Sequence, residues 1–148
     1  MTNNNELHLE KITWDNMDAI INLHVTKEQR NFVASNKDSL ADACVRMLHE
    51  EKKVFPFGIY LGKKPVGFIM ITYDIGEDDG EEPRADWFLR NSYFIWRFMI
   101  DRRDQGNGYG RQAMKDNFWP LMDLLNCMYE YEPSLIILKS GSLRESLL

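Results

Sequence analysis

A chain of 148 residues has the size of one domain and is long enough to bury a proper core. Its 44% hydrophobic and 28% charged residues are ordinary for a soluble globular protein, and its net charge of -5 argues against nucleic acid as the main partner while suiting a cationic one. No apolar run approaches the ~20 residues of a membrane span, no basic-then-apolar leader opens the chain, and Cys44 and Cys127 lack any paired or metal-ligand spacing, so a cytoplasmic, metal-free protein is expected.

Leu7, Leu9 and Ile12, set among His8, Glu10 and Lys11, suggest a first strand with one buried face. Asp15 is placed as the N-cap of a helix whose apolar side is Met17, Ile20, Ile21 and Leu23, with His24 near its end as a surface or capping residue. Residues 26–34 are less regular, and a second helix is expected from Ser39 onward with Leu40, Ala43, Val45, Met47 and Leu48. Residues 54–60 and 65–73 read as two strands joined by a hairpin turn at Leu61-Gly62-Lys63-Lys64, with Pro65 at a strand start, where proline is tolerated. Residues 74–83 are acidic and glycine-punctuated. They form either a solvated loop or a landing site for a polycation through Glu77, Asp78 and Asp79, effective only within the ~8–10 Å that physiological salt leaves unscreened.

Residues 93–100, Tyr-Phe-Ile-Trp-Arg-Phe-Met-Ile, form an apolar, aromatic and β-branched run that reads as a buried strand. Gly106, Gly108 and Gly110 follow at alternate positions, and then good helix formers begin at Arg111. Strand, glycine turn and helix start together make an anion site: backbone N–H groups face one way, a ligand can approach closely, and the helix adds its positive dipole end. A diphosphate is the natural guest. No Lys-Ser/Thr follows the glycines and their even spacing breaks G-x-G-x-x-G, so the common nucleotide loops are absent and a nucleotide-binding switch is disfavoured. The next helix carries Ala113, Met114, Phe118, Leu121, Met122 and Leu125 on one stripe, with Pro120 set to bend or restart it. Residues 127–131 read as a short fifth strand, and Trp14, Trp87 and Trp96 are expected in the core.

The glycine turn fits [Arg/Gln]-x-x-Gly-x-[Gly/Ala] through Gln105, Gly108 and Gly110, and the preceding Trp96-Arg97-Phe98-Met99-Ile100-Asp101 extends the match. With Gln29-x-x-Phe32-Val33-Ala34-x-Asn36, the chain resembles the GNAT superfamily of acyl-CoA N-acyltransferases in its bacterial spermine/spermidine acetyltransferase branch. The resemblance spans roughly residues 7–133 and implies one acyl-CoA N-acyltransferase domain over 1–148. The implied architecture is α/β, a mixed and mostly antiparallel sheet with helices on both faces.

By the same resemblance acetyl-CoA is the co-substrate, held by Gln105, Gly106, Asn107, Gly108, Tyr109, Gly110 and Arg111. Backbone N–H groups around Phe98, Met99 and Ile100 would meet the charge growing on the thioester oxygen. The implied acceptor is a small amine such as spermine or spermidine, against a wall that includes Glu28, Gln29 and Phe32. The other reading of that wall is a helix connection with Phe32 as its core plug. Direct attack of the amine needs a base, because an alkyl amine of pKa near ~10 is only about one part in a thousand free base at neutral pH. Asp101 and Glu28 are the candidates, and a buried ion pair is the alternative reading of each.

Beyond residue 133 the resemblance stops. The family's last helix, whose tyrosine protonates the departing thiolate, and two closing strands have no counterpart in residues 134–148, which contain no tyrosine. Acid catalysis is worth about 10²–10⁴-fold, so reduced activity is expected, and an uncapped fifth strand invites aggregation or repair by a homodimer. Two alternatives follow: a catalytically impaired acetyl-CoA-binding paralogue, or a frameshifted copy. Residues 139–147 admit a codon choice that, read one base later, gives Lys-Ala-Glu-Val-Tyr-Glu-Ser-Leu, close to the family's motif.

Overall fold

The computed structural model describes residues 5–49, 53–73, 92–129 and 135–138. Residues 74–91, which include Glu77, Asp78, Asp79 and Trp87, and the tail from 139 onward lie outside the described residues.

Alternation at the N-terminus gives β1 (Leu7–Lys11), and the hairpin signal gives β2 (Lys53–Leu61) and β3 (Lys64–Tyr73), turned at Gly62 with φ 60°. The apolar run gives β4 (Ser92–Ile100), and β5 (Leu135–Leu138) completes a sheet in the order β1-β2-β3-β4-β5. The first four strands pair antiparallel, whereas β4 and β5 pair parallel, from Ser92 opposite Leu135 to Ile95 opposite Leu138. The sheet is therefore mixed and mostly antiparallel, as the sequence implied.

Helices cover both faces. Against one face pack α1 (Met17–Ile21) and α2 (Asn36–His49), enclosing Ile20, Leu23, Val25, Ala43, Phe68, Met70 and Met99. The other face is covered by α3 (Tyr109–Ala113) and α4 (Trp119–Tyr129), joined through a π-helical turn at Met114–Phe118, with Ala113, Phe118, Met122 and Leu125 on Ile69, Ile71, Tyr93, Ile95, Phe98 and Ile100. Among the described residues no helix is long and apolar enough to cross a membrane.

Several expectations are corrected. Residues up to Tyr129 extend α4, and the fifth strand is the later run Leu135–Leu138. The helical stretch that packs Phe118, Met122 and Leu125 on the sheet runs on through residues 127–129, so the chain returns as a strand only at Leu135. At Pro120 the expectation of a restart holds: the α-helix ends at Ala113, passes through the wider π turn, and resumes as α4 at Trp119, directly before the proline. The residue before the first helix is Asn16 rather than Asp15, and its side chain ties the preceding turn instead of capping the helix: it accepts from Thr13 N–H at 2.7 Å and donates to the Lys11 carbonyl at 2.9 Å. The second helix starts at Asn36, not Ser39, because Ser35 Oγ accepts from Asp38 N–H at 3.0 Å and caps the earlier turn.

That helix buries the small and polar Asn36, Ser39 and Ala43, while Val45 and Leu48 are exposed on its other side and Met47, one turn on from Ala43, is exposed near its end. Small residues let the helix lie close to the sheet, and this selects its buried face. Trp14, expected in the core, is 89% exposed in the turn between β1 and α1, whereas Trp96 is partly buried and packs on the α1/α2 core.

Candidate active site

The site is built at the C-terminal end of β4. Met70 pairs with Arg97 and Ile71 with Ile95, so Trp96 has no opposite residue on β3 and forms a bulge. A bulge shifts side-chain parity by one. Tyr93 and Ile95 before it, and Phe98 and Ile100 after it, therefore all face the α3/α4 core, while Met99 turns to the α1/α2 core. Pairing of β4 with β5 ends at Ile95, one residue before the bulge. Among the described residues no strand pairs with that edge of β4 from Trp96 to Ile100, so its N–H groups stay available there.

Helix α2 holds the bulge from the other side. The guanidinium carbons of Arg46 and Arg97 lie 5.0 and 5.1 Å from the centre of the Trp96 ring, and Arg97 Nη2 donates to Asp42 at 3.3 Å. Burial lowers the Arg97 guanidinium below its ordinary value, and Asp42 opposes that.

Asp101 ends the strand and is 1% exposed. Its backbone N–H donates to the Val66 carbonyl at 2.7 Å, and its carboxylate accepts from His24 N–H at 2.9 Å, Arg103 N–H at 3.0 Å and Arg103 Nε at 2.8 Å. Burial pushes this carboxyl up, but the bonds from the Arg103 side chain, the backbone N–H groups of Arg103 and His24, and the Arg103 charge hold it below the usual carboxylate range. Of its two readings, Asp101 takes that of the buried ion pair: a carboxylate already saturated with donors and stabilised as the anion is a poor base.

The loop from Asp101 folds back on that anchor. Asp104 N–H and Gln105 N–H both donate to the Asp101 carbonyl, at 2.8 and 3.1 Å. Gln105 Nε2 donates to the Ile100 carbonyl at 2.9 Å and to Gln29 Oε1 at 2.8 Å, which occupies both of its N–H bonds inside the protein. Asn107 Nδ2 donates to the Asp104 carbonyl at 2.9 Å. Asp104 is itself buried, with Oδ1 accepting from Lys64 Nζ at 2.6 Å.

Gly106 (φ 83°) and Gly108 (φ 77°) occupy the left-handed region, and a Cβ on either would meet nothing within 4 Å. The loop thus leads into α3 beside open space, with Gly110 and Ala113 buried behind it and Arg111 exposed. This fits a diphosphate: glycine backbone on the open side, and side-chain struts on the inner side. Gly108→Ala is expected to cost about 1–2 kcal/mol through backbone strain alone, with no loss of packing. Urea unfolding should show that modest cost, and a coenzyme A titration a larger loss.

The segment after α1 is bolted to this loop. Arg102 N–H donates to the His24 carbonyl at 2.8 Å, opposite in sense to the His24–Asp101 bond, and Gln29 Oε1 also accepts from Thr26 N–H at 3.1 Å. A 3₁₀ turn (Gln29–Asn31) follows, with Gln29 buried, Glu28 exposed and Phe32 72% exposed. Phe32 is therefore not a core plug: no apolar layer covers that turn among the described residues. The structure brings Glu28, Gln29, Gln105 and the end of β4 to one end of the sheet. Lys64, the His24 backbone and the Trp96–Arg97–Asp42 cluster escape sequence reasoning as site elements, since their partners lie 40 to 77 residues away and leave no local pattern.

No family model matches the chain. It is 33% identical over 127 residues to spermine/spermidine N(1)-acetyltransferase of Bacillus subtilis strain 168, covering 84% of this chain and 74% of that protein. It is 32% identical, with the same coverage, to the probable spermine N(1)-acetyltransferase of Bacillus subtilis subsp. natto. Among solved structures, an acetyltransferase from Thermus thermophilus superposes with a TM-score of 0.52 at 18% identity, over 79% of this chain and 70% of that one. AAC(6')-Iy in complex with the bisubstrate analogue CoA-S-monomethyl-acetylneamine gives 0.55 at 9% identity, over 94% and 82%. At such identities the two structures bear on the fold alone.

Proposed function

The chain belongs to the GNAT superfamily of acetyl-CoA-dependent N-acetyltransferases, and from that premise we propose that its acceptor is a primary amine of a small polycation such as spermine or spermidine. The observation that carries the reading is the 33% identity to spermine/spermidine N(1)-acetyltransferase over 84% of the chain, a stretch that includes most of the described elements. The open glycine loop at the end of a bulged strand supports it. Residues 1–148 act as one acyl-CoA N-acyltransferase domain.

Acetyl-CoA supplies an activated acyl group as a thioester. The protein's part is to place it and to manage two charges. Gly106 to Arg111 hold the diphosphate through backbone N–H groups on the open side of the loop, while the Gln105 amide, spent on Gln29 and Ile100, fixes the loop's shape. The N–H groups that β4 turns to its open edge between Phe98 and Ile100, where no strand pairs with it among the described residues, face the acyl oxygen as negative charge develops on it. Glu28, exposed on the 3₁₀ turn, assists deprotonation of the amine, a step that must overcome ~4 kcal/mol of free-base scarcity at neutral pH. Asp101 positions and does not take the proton. A thiol of pKa near ~8.5 leaves tolerably as the thiolate without an acid.

Mixing the full chain with acetyl-CoA and spermidine or spermine should release coenzyme A thiol and give a mono-acetylated polyamine by mass spectrometry. Coenzyme A binding with no acetylation of any polyamine would overturn the substrate assignment and point to the impaired paralogue.

A further inference from the structure

An anion-binding loop with carboxylates inside it poses an electrostatic problem, and this loop has two. Asp101 is matched by Arg103 within the loop itself. Asp104 is 6% exposed, and its matching cation comes from elsewhere in the sheet: Lys64, the first residue of β3, places Nζ 2.6 Å from Oδ1. Asp104 Oδ2 is buried and has no hydrogen-bond partner among the described residues, so Lys64 is what this carboxylate has beside the more distant charge of Arg103.

We propose that Lys64 belongs to the anion site: by neutralising the Asp104 carboxylate it sets how strongly the loop holds a diphosphate. This deepens the acetyl-CoA reading of the same loop and rests on it. Lys64 is a positioning residue, since it acts through Asp104 and touches no reacting atom. Removing it leaves a buried negative charge, opposed only by the more distant Arg103, in the loop that receives a dianion, and the added repulsion through partly exposed surroundings weakens binding by about three- to tenfold. A purely mechanical strut predicts something else. There, loss of either partner loosens the loop equally, and losing both repairs nothing.

The two accounts separate on four proteins titrated with coenzyme A by calorimetry: the wild type, Lys64→Met, Asp104→Asn and the double variant. Lys64→Met is expected to bind about three- to tenfold more weakly, Asp104→Asn at least as tightly as the wild type, and the double variant within about twofold of it. A double variant as weak as Lys64→Met, or an Asp104→Asn that binds as weakly, would overturn the proposal. Should Lys64→Met fail to fold by circular dichroism, the Asp104→Asn arm still decides, because the strut and the charge account give it opposite signs. No binding by the folded wild type would instead sink the acetyl-CoA reading itself.

Discussion

Gly67→Ala is expected to destabilise the protein by about 3 kcal/mol, at the upper end of what overpacking usually costs. A Cβ at Gly67 would lie 2.5 Å from the Met99 carbonyl oxygen, 2.9 Å from Ile100 Cδ1 and 3.2 Å from Ile59 Cδ1. The side chains could give way, but the carbonyl belongs to β4 and cannot move without the strand. Gly67 pairs with Ile100, immediately before the Asp101 anchor, so the displacement falls where the site begins. Chemical unfolding should show the loss, with a melting temperature lower by about 6–12 °C at 2–4 °C per kcal/mol. A variant as stable as the wild type would mean that β3 and β4 do not approach so closely.

Asp101→Ala should cost a similar amount, about 3 kcal/mol, by a different route. It leaves the N–H groups of His24 and Arg103, in part-buried bonds, without their acceptor, at about 1–2 kcal/mol each. Coenzyme A binding should fall with stability, because the loop from Arg102 to Gln105 is folded back on this residue. Acidity gives an independent reading. The folded carboxyl titrates below its ordinary value, so its contribution is fully present above the unfolded value near about pH 4 and disappears as pH falls through the lower folded value. Asp101→Asn should therefore lose less stability than the wild type when urea unfolding is carried from pH 7 to about pH 3. Equal acid sensitivity in the two proteins would show that this residue's ionisation is not what the fold depends on.

The hairpin and the end of β4 are legible in the sequence because they are local. Alternation, a Gly62 turn and an aromatic run before spaced glycines each act within a single short stretch of the chain. What stays hidden depends on distant partners. Asp101 reads equally as a base or an ion pair until His24 and Arg103 are seen around it. The bulge at Trp96 is concealed because Phe98 and Ile100 are as apolar as the residues they displace, so a straight strand fits the pattern equally well. The fifth strand is misplaced because Cys-Met-Tyr is as suited to a strand as to a helix end, and nothing local marks that α4 runs on to Tyr129. Exposure of Phe32 and Trp14 has no sequence signature at all.

The parallel pairing of β5 also orders events during synthesis. Strands β1 to β4 lie within the first 100 residues and make a ladder of antiparallel neighbours, whereas β5 arrives after the whole α3–α4 crossover has been made. On the ribosome, at about 5–20 residues per second, the nascent sheet therefore spends some seconds with β4 as an open border. Once β5 docks, only Ser92 to Ile95 become paired with it, and among the described residues the border beyond Trp96 is left unclosed. The open edge that the proposed mechanism uses is thus the remnant of a longer one in the growing chain, and the period before residue 135 emerges is when it is most exposed to strand exchange with other copies.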